Sequence, residues 1–76
     1  MKLYDELGQV IECEILFTFE RNNKNFVVYF DLNTEDIIAS FYEVRENNWY
    51  IYPITLEEDF DIVDEEIIKR GQDTNE

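Results

Sequence analysis

The stretch "VIECEILFTFE" (residues 10–20) decides how this chain folds. Ile11, Cys13, Ile15, Phe17 and Phe19 alternate with Glu12, Glu14, Thr18 and Glu20. A period of two is that of a β-strand with one buried face, because successive side chains leave a pleated strand on opposite sides. Leu16 breaks the pattern, an apolar residue in the polar row. Either this strand is a plain core wall, or its second face also meets something.

Working outward, "KLYD" (2–5) reads as a short strand, and "ELGQ" (6–9) as a turn in which Gly8 takes a positive φ. "RNNKN" (21–25) is a hairpin tip whose asparagines tolerate left-handed backbone. In "FVVYFDL" (26–32) both alternating rows are largely apolar, which suits an inner strand covered on both sides. "NTED" (33–36) is a loop, "IIASFYEVR" (37–45) a strand and "ENN" (46–48) a turn. "WYIYPI" (49–54) is a further strand, and Pro53, with no N–H for a ladder, marks its end or an edge.

"TLEEDFDIVDEEIIKRG" (55–71) carries helix signals throughout. Thr55 and Glu58 have capping-box spacing. Glu57, Glu58 and Asp59 lie in the first turn, and Lys69 and Arg70 in the last, as the helix dipole favours. Gly71 suits the C′ position. Leu56, Phe60, Val63 and Ile67 form one narrow apolar stripe, expected to face the sheet. Residues 72–76 should fray. Strands joined by short polar turns imply a meander. The expected fold is therefore α+β and mostly β: an antiparallel four- to five-stranded meander with one C-terminal helix packed on one face. It forms a single domain over 1–76, with an ordered core of about 2–71.

A chain of 76 residues has a thin core, burying about 60% of its unfolded surface. Six Phe, five Tyr and one Trp compensate, since each ring buries a large area. Nineteen acids against six bases leave a formal net charge of −13. That charge repels nucleic-acid backbones and anionic membranes, so neither is an expected partner, and it favours a basic protein. With one cysteine, no internal disulfide forms. There is no signal segment and no long apolar run, which makes the cytoplasm the expected location.

The sequence holds no recognisable catalytic, metal or cofactor motif. Cys13 is the only thiol and there is no histidine to activate it, so it reads as a buried structural residue. One cysteine and no histidine exclude the usual zinc sets. "DFDIVDEE" (59–66) looks superficially like a calcium loop but lacks the glycine at loop position six and lies where the helix signals are strongest. Gly8 and Gly71 are the only glycines, too few for a phosphate loop. "NFVVYF" (25–30) lacks the glycines and bases of an RNA-binding strand. A non-enzymatic protein without a cofactor is expected, with a carboxylate-dependent enzyme as a minor alternative.

One sheet face, with Ile11, Cys13, Ile15, Phe17, Phe19, Phe26, Val28 and Trp49, is assigned to the helix. The other then carries Leu16, Val27, Tyr29, Tyr42 and Tyr50, neither fully polar nor fully apolar. The turn at 46–48 leaves the faces of Trp49 and Tyr50 interchangeable. Three explanations stay open for this second face: the sheet curls into a small open barrel, a homodimer or protein partner covers it, or the Tyr hydroxyls face water. Leu16, Val27, Tyr29, Tyr42 and Tyr50 are the candidate contact residues. Ile62 joins them, lying well off the helix stripe between Glu58 and Glu65.

The order of segments resembles the YrzB-like family of low-GC Gram-positive bacteria, a domain of unknown function. The likeness rests on "LYDELGQVIECEILFTFE" (3–20), "KNFVVYF" (24–30) and "YPITLEEDFDIVDEEI" (52–67). It implies a small, acidic, cytoplasmic protein without assigned activity and carries over no functional residue. It also implies a nucleic-acid-processing neighbourhood. The expected function is a protein-interaction module with a basic or nucleic-acid-associated protein partner. The alternative is a structural protein that forms a homodimer through its second sheet face.

Overall fold

A computed structural model describes residues 1–73, with side chains through residue 71. Five strands precede one helix: β1 (Lys2–Tyr4), β2 (Val10–Arg21), β3 (Lys24–Asp31), β4 (Asp36–Arg45), β5 (Asn48–Tyr52) and α1 (Glu57–Asp73). Consecutive strands pair antiparallel. β5 then returns to β1 in parallel, through Leu3–Trp49 and Tyr4–Tyr50, and closes a barrel. The parallel seam is a matter of parity. Directions alternate along a meander, so the fifth strand runs the same way as the first.

Turn chemistry sets the hairpins. Asn22 and Asn23 have φ of 58° and 63°, and Glu46 and Asn47 have 52° and 70°. Two left-handed residues in a two-residue loop form the type I′ turn, whose twist matches that of the flanking strands. Gly8 takes φ 82° in the β1–β2 turn, where the Asp5 carboxylate accepts from the amides of Leu7 and Gln9.

Leu16 is where β2 changes faces. Ile15 pairs with Tyr29 and Phe17 with the adjacent Val28, so one residue of β2 has no partner on β3, a β-bulge with Leu16 as the extra residue. Ahead of the bulge, Ile11, Cys13 and Ile15 fill the barrel with Leu3, Val27, Tyr29 and Ile51. Beyond it, Phe17 and Phe19 join Phe26, Val28 and Phe41 in a second core on the outside of the barrel. The expected single wall of odd-numbered residues is thus split between two cores. Of the three explanations for the second sheet face, the structure shows the curl. Val27, Tyr29 and Tyr42 line the barrel together with Trp49, whose ring stacks on Tyr42 at 4.6 Å. Trp49 therefore lies on the face expected of Tyr50.

α1 packs on the outer aromatic core, but about 80° round from the expected orientation, taking about 100° per residue. Its buried face is Asp59, Ile62, Val63 and Glu66. Leu56, Phe60 and Ile67 are 52%, 46% and 42% exposed. The spacing i, i+3, i+4, i+7 is ordinary for a packed helix, yet two of the four residues are acids. Lys24 Nζ donates to both Asp59 carboxylate oxygens, at 3.1 and 3.2 Å. Arg21 reaches Glu66 at 3.1 Å. These pairs decide which face turns inward. Two end signals also differ from expectation. The helix opens at Glu57 with the Leu56 carbonyl accepting from Asp59 and Phe60, so Thr55 does not form the capping box. At the other end the helix continues through Gly71 to Asp73. Of the tail expected to fray, residues 74–76 lie outside the described residues.

Candidate functional site

The six candidate contact residues are not brought together. Val27 is fully buried and Tyr29 is 2% exposed, both inside the barrel. Tyr42 is half-buried among them. Ile62 rests against the outer core, under the helix instead of outside it. Leu16 stands half-exposed on the bulge. Tyr50 lies on the outer wall, under the Arg45 guanidinium at 4.2 Å and beside Tyr4. Of these residues, Leu16 and Tyr50 remain on the outer surface.

Cys13 is buried in the barrel core. Burial pushes its thiol pKa up, the N-terminal ammonium opposes, and Asp31 adds to the rise. Burial likewise raises Tyr29, opposed by a hydrogen bond with Ser40. A raised folded-state pKa means the unfolded chain ionises first. The stability these groups contribute is fully present below the ordinary values of 9.0 and 10.0, and is lost as pH rises through them toward the folded values. The urea midpoint should therefore fall through that window, and Cys13→Val should remove the thiol part of the fall. A midpoint unchanged across both values would contradict the burial of these two groups.

The outer core is a platform of four phenylalanine rings. Phe19 stacks on Phe26 at 4.7 Å, with Phe17 and Phe41 tilted against its two ends at 6.2 and 5.1 Å. α1 lies on this platform and is held at its rim by cations. Arg70 sits over the Phe17 ring at 4.1 Å and pairs with Glu66. Arg21 pairs with Glu66 and Glu65, and these hydrogen bonds raise its pKa further, so it stays charged.

Because the inner acids of α1 pair with Lys24, Arg21 and Arg70, the helix turns its apolar stripe outward. Leu56, Phe60 and Ile67 lie along one flank, with Ile68, 59% exposed, beyond them. Glu57, Asp61 and Asp64 border this flank, and no ion pair among the described residues engages any of them. This apolar strip with an uncompensated acidic margin is the surface that reading the sequence missed. The signal was present as the spacing Asp59, Ile62, Val63, Glu66, together with bases at both ends of the β2–β3 turn, Arg21 and Lys24. Among the described residues no group of three potential ligands could hold a metal, and no helix is long and apolar enough to cross a membrane.

No family model matches the chain, and no solved structure matches it. Curated relatives do. A UPF0473 protein of Bacillus velezensis is 33% identical, over 83% of this chain and 77% of its own length. The UPF0473 protein YrzB of Bacillus subtilis is 32% identical over the same shares. A UPF0473 protein of Bacillus pumilus is 33% identical, over 83% of this chain and 76% of its own. The expected likeness to YrzB thus holds over 83% of the chain, and the chain belongs to the UPF0473 family.

Proposed function

We propose that this chain is a non-enzymatic protein-interaction module of the cytoplasm that engages a basic protein partner, of which a nucleic-acid-associated protein is one kind. The observation that carries the reading is the outward apolar stripe of α1, Leu56, Phe60 and Ile67, beside acids that form no ion pair among the described residues. Exposed apolar strips rimmed by polar residues mark interaction sites. The net charge of −13 selects against acidic partners and speeds encounter with basic ones. The alternative is a homodimer through the second sheet face, of which Val27, Tyr29 and Tyr42 line the barrel while Leu16 and Tyr50 remain outside.

The test is capture from a native cell extract by the intact chain and by Phe60→Glu/Ile67→Glu. Basic proteins should be retained by the first and lost by the second. Equal retention by both would overturn the stripe as the interaction face.

A further inference from the structure

The outward stripe has the spacing of a coiled-coil seam. Leu56, Phe60, Val63 and Ile67 are separated by four, three and four residues, the d-a-d-a order of a heptad. The barrel occupies Val63, which is 4% exposed, and leaves the other three half-open to solvent. In the same register Asp59 and Glu66 are g residues, while Glu57 and Asp64 are e residues. The two sides differ in what they meet. The g acids face the barrel and are neutralised by Lys24, Arg21 and Arg70. The e acids face the open side and are in no ion pair among the described residues.

From this asymmetry we infer that the open side of α1 docks an amphipathic helix of another protein, carrying an apolar heptad seam bordered by Lys or Arg. The inference rests on the stripe being the interaction face, and it names the partner's secondary structure and charge. A helix is selected because α1 satisfies its own backbone groups, so an approaching strand finds no edge to pair with, whereas a narrow 3.5-residue seam accepts knobs from a second helix. The basic margin is selected by charge complementarity with Glu57 and Asp64. A second copy is the wrong occupant. Glu57 and Asp64 border the open side of the seam in every copy, and apposed seams from two chains of charge −13 place these like charges along the contact.

The experiment is a binding titration of the full chain with three helical peptides of equal length. The first has Leu at a and d and Lys or Arg at e and g. The second keeps the Leu seam and has Glu at e and g. The third has the composition of the first in an order that destroys the seam. The first should bind at least tenfold more tightly than either of the others. Phe60→Glu/Ile67→Glu should weaken it tenfold or more, and Glu57→Lys/Asp64→Lys should reverse the preference between the first and second peptides, with circular dichroism confirming that both variants fold. Equal binding of the first and third peptides would reduce the contact to unspecific charge attraction and overturn the proposal. So would indifference to the charge reversal, or a concentration-dependent dimer in sedimentation that competes with the first peptide. Failure here leaves extract proteins still captured through Phe60 and Ile67, whereas failure of the underlying reading shows as capture indifferent to those residues.

Discussion

Phe26→Ala is expected to cost about 3–5 kcal/mol, the usual range for emptying a buried phenylalanine site. Phe26 is fully buried, stacked on Phe19, tilted against Phe41 and packed with Val28, Ile54 and Val63. It is the fully buried ring of the platform and part of the core under α1. A 76-residue domain has roughly 4–11 kcal/mol in total at typical stabilities per residue. The loss is then a large fraction of the total, and the variant should unfold at a much lower urea concentration than the parent. Phe26→Leu, which keeps most of the volume, should lose only about 1–1.5 kcal/mol. Urea unfolding followed by Trp49 fluorescence measures both. A cost below about 1 kcal/mol for the alanine variant would mean that the helix does not rest on this ring.

Lys24→Met should be the second most damaging change, at about 2–4 kcal/mol. It strips the cation from the Asp59 carboxylate, whose side chain is 2% exposed. The figure sits below the full cost of breaking a buried pair because Lys24 is itself 37% exposed. Adding Asp59→Leu should recover most of the loss, since an apolar pair of similar volume replaces a buried ion pair at little cost. Arg45→Met is the contrasting case. Its partner Glu43 and Arg45 are both 54% exposed, and losing that pair together with the contacts to Tyr50 and Tyr52 should cost about 1 kcal/mol or less. If Lys24→Met behaved like Arg45→Met, the ionic latch would not be what orients α1.

Much of this architecture is legible in the chain before any coordinates. Strand positions follow from period-two alternation, and the two asparagine-bearing turns from their tolerance of left-handed backbone. The β1–β5 closure is harder to read. It rests on only two residue pairs, Leu3–Trp49 and Tyr4–Tyr50, and alternation in either strand says nothing of its second neighbour. Leu16 is legible as an exception but not as a bulge. A bulge changes which face the following residues take, so the same odd-numbered row serves the barrel before Leu16 and the helix after it.

The helix face failed for a different reason. Apolar spacing ranks Leu56, Phe60, Val63 and Ile67 as the inner stripe, because a hydrophobic criterion gives no weight to an acid with a buried partner. Asp59 and Glu66 turn inward only because β2 and β3 present Arg21 and Lys24 where α1 crosses the platform. That is tertiary information. The same displacement explains why Ile62, singled out as an outlying residue, packs inward, while the stripe taken for core becomes the candidate docking face.

Denaturant unfolding of Phe60→Glu/Ile67→Glu tests this outward orientation most directly. With both side chains on the open flank of α1, the double variant should unfold within about 1 kcal/mol of the parent, as surface substitutions do. A loss of about 4 kcal/mol or more, the scale of two disrupted core positions, would show that the stripe faces the barrel and that no docking surface exists there.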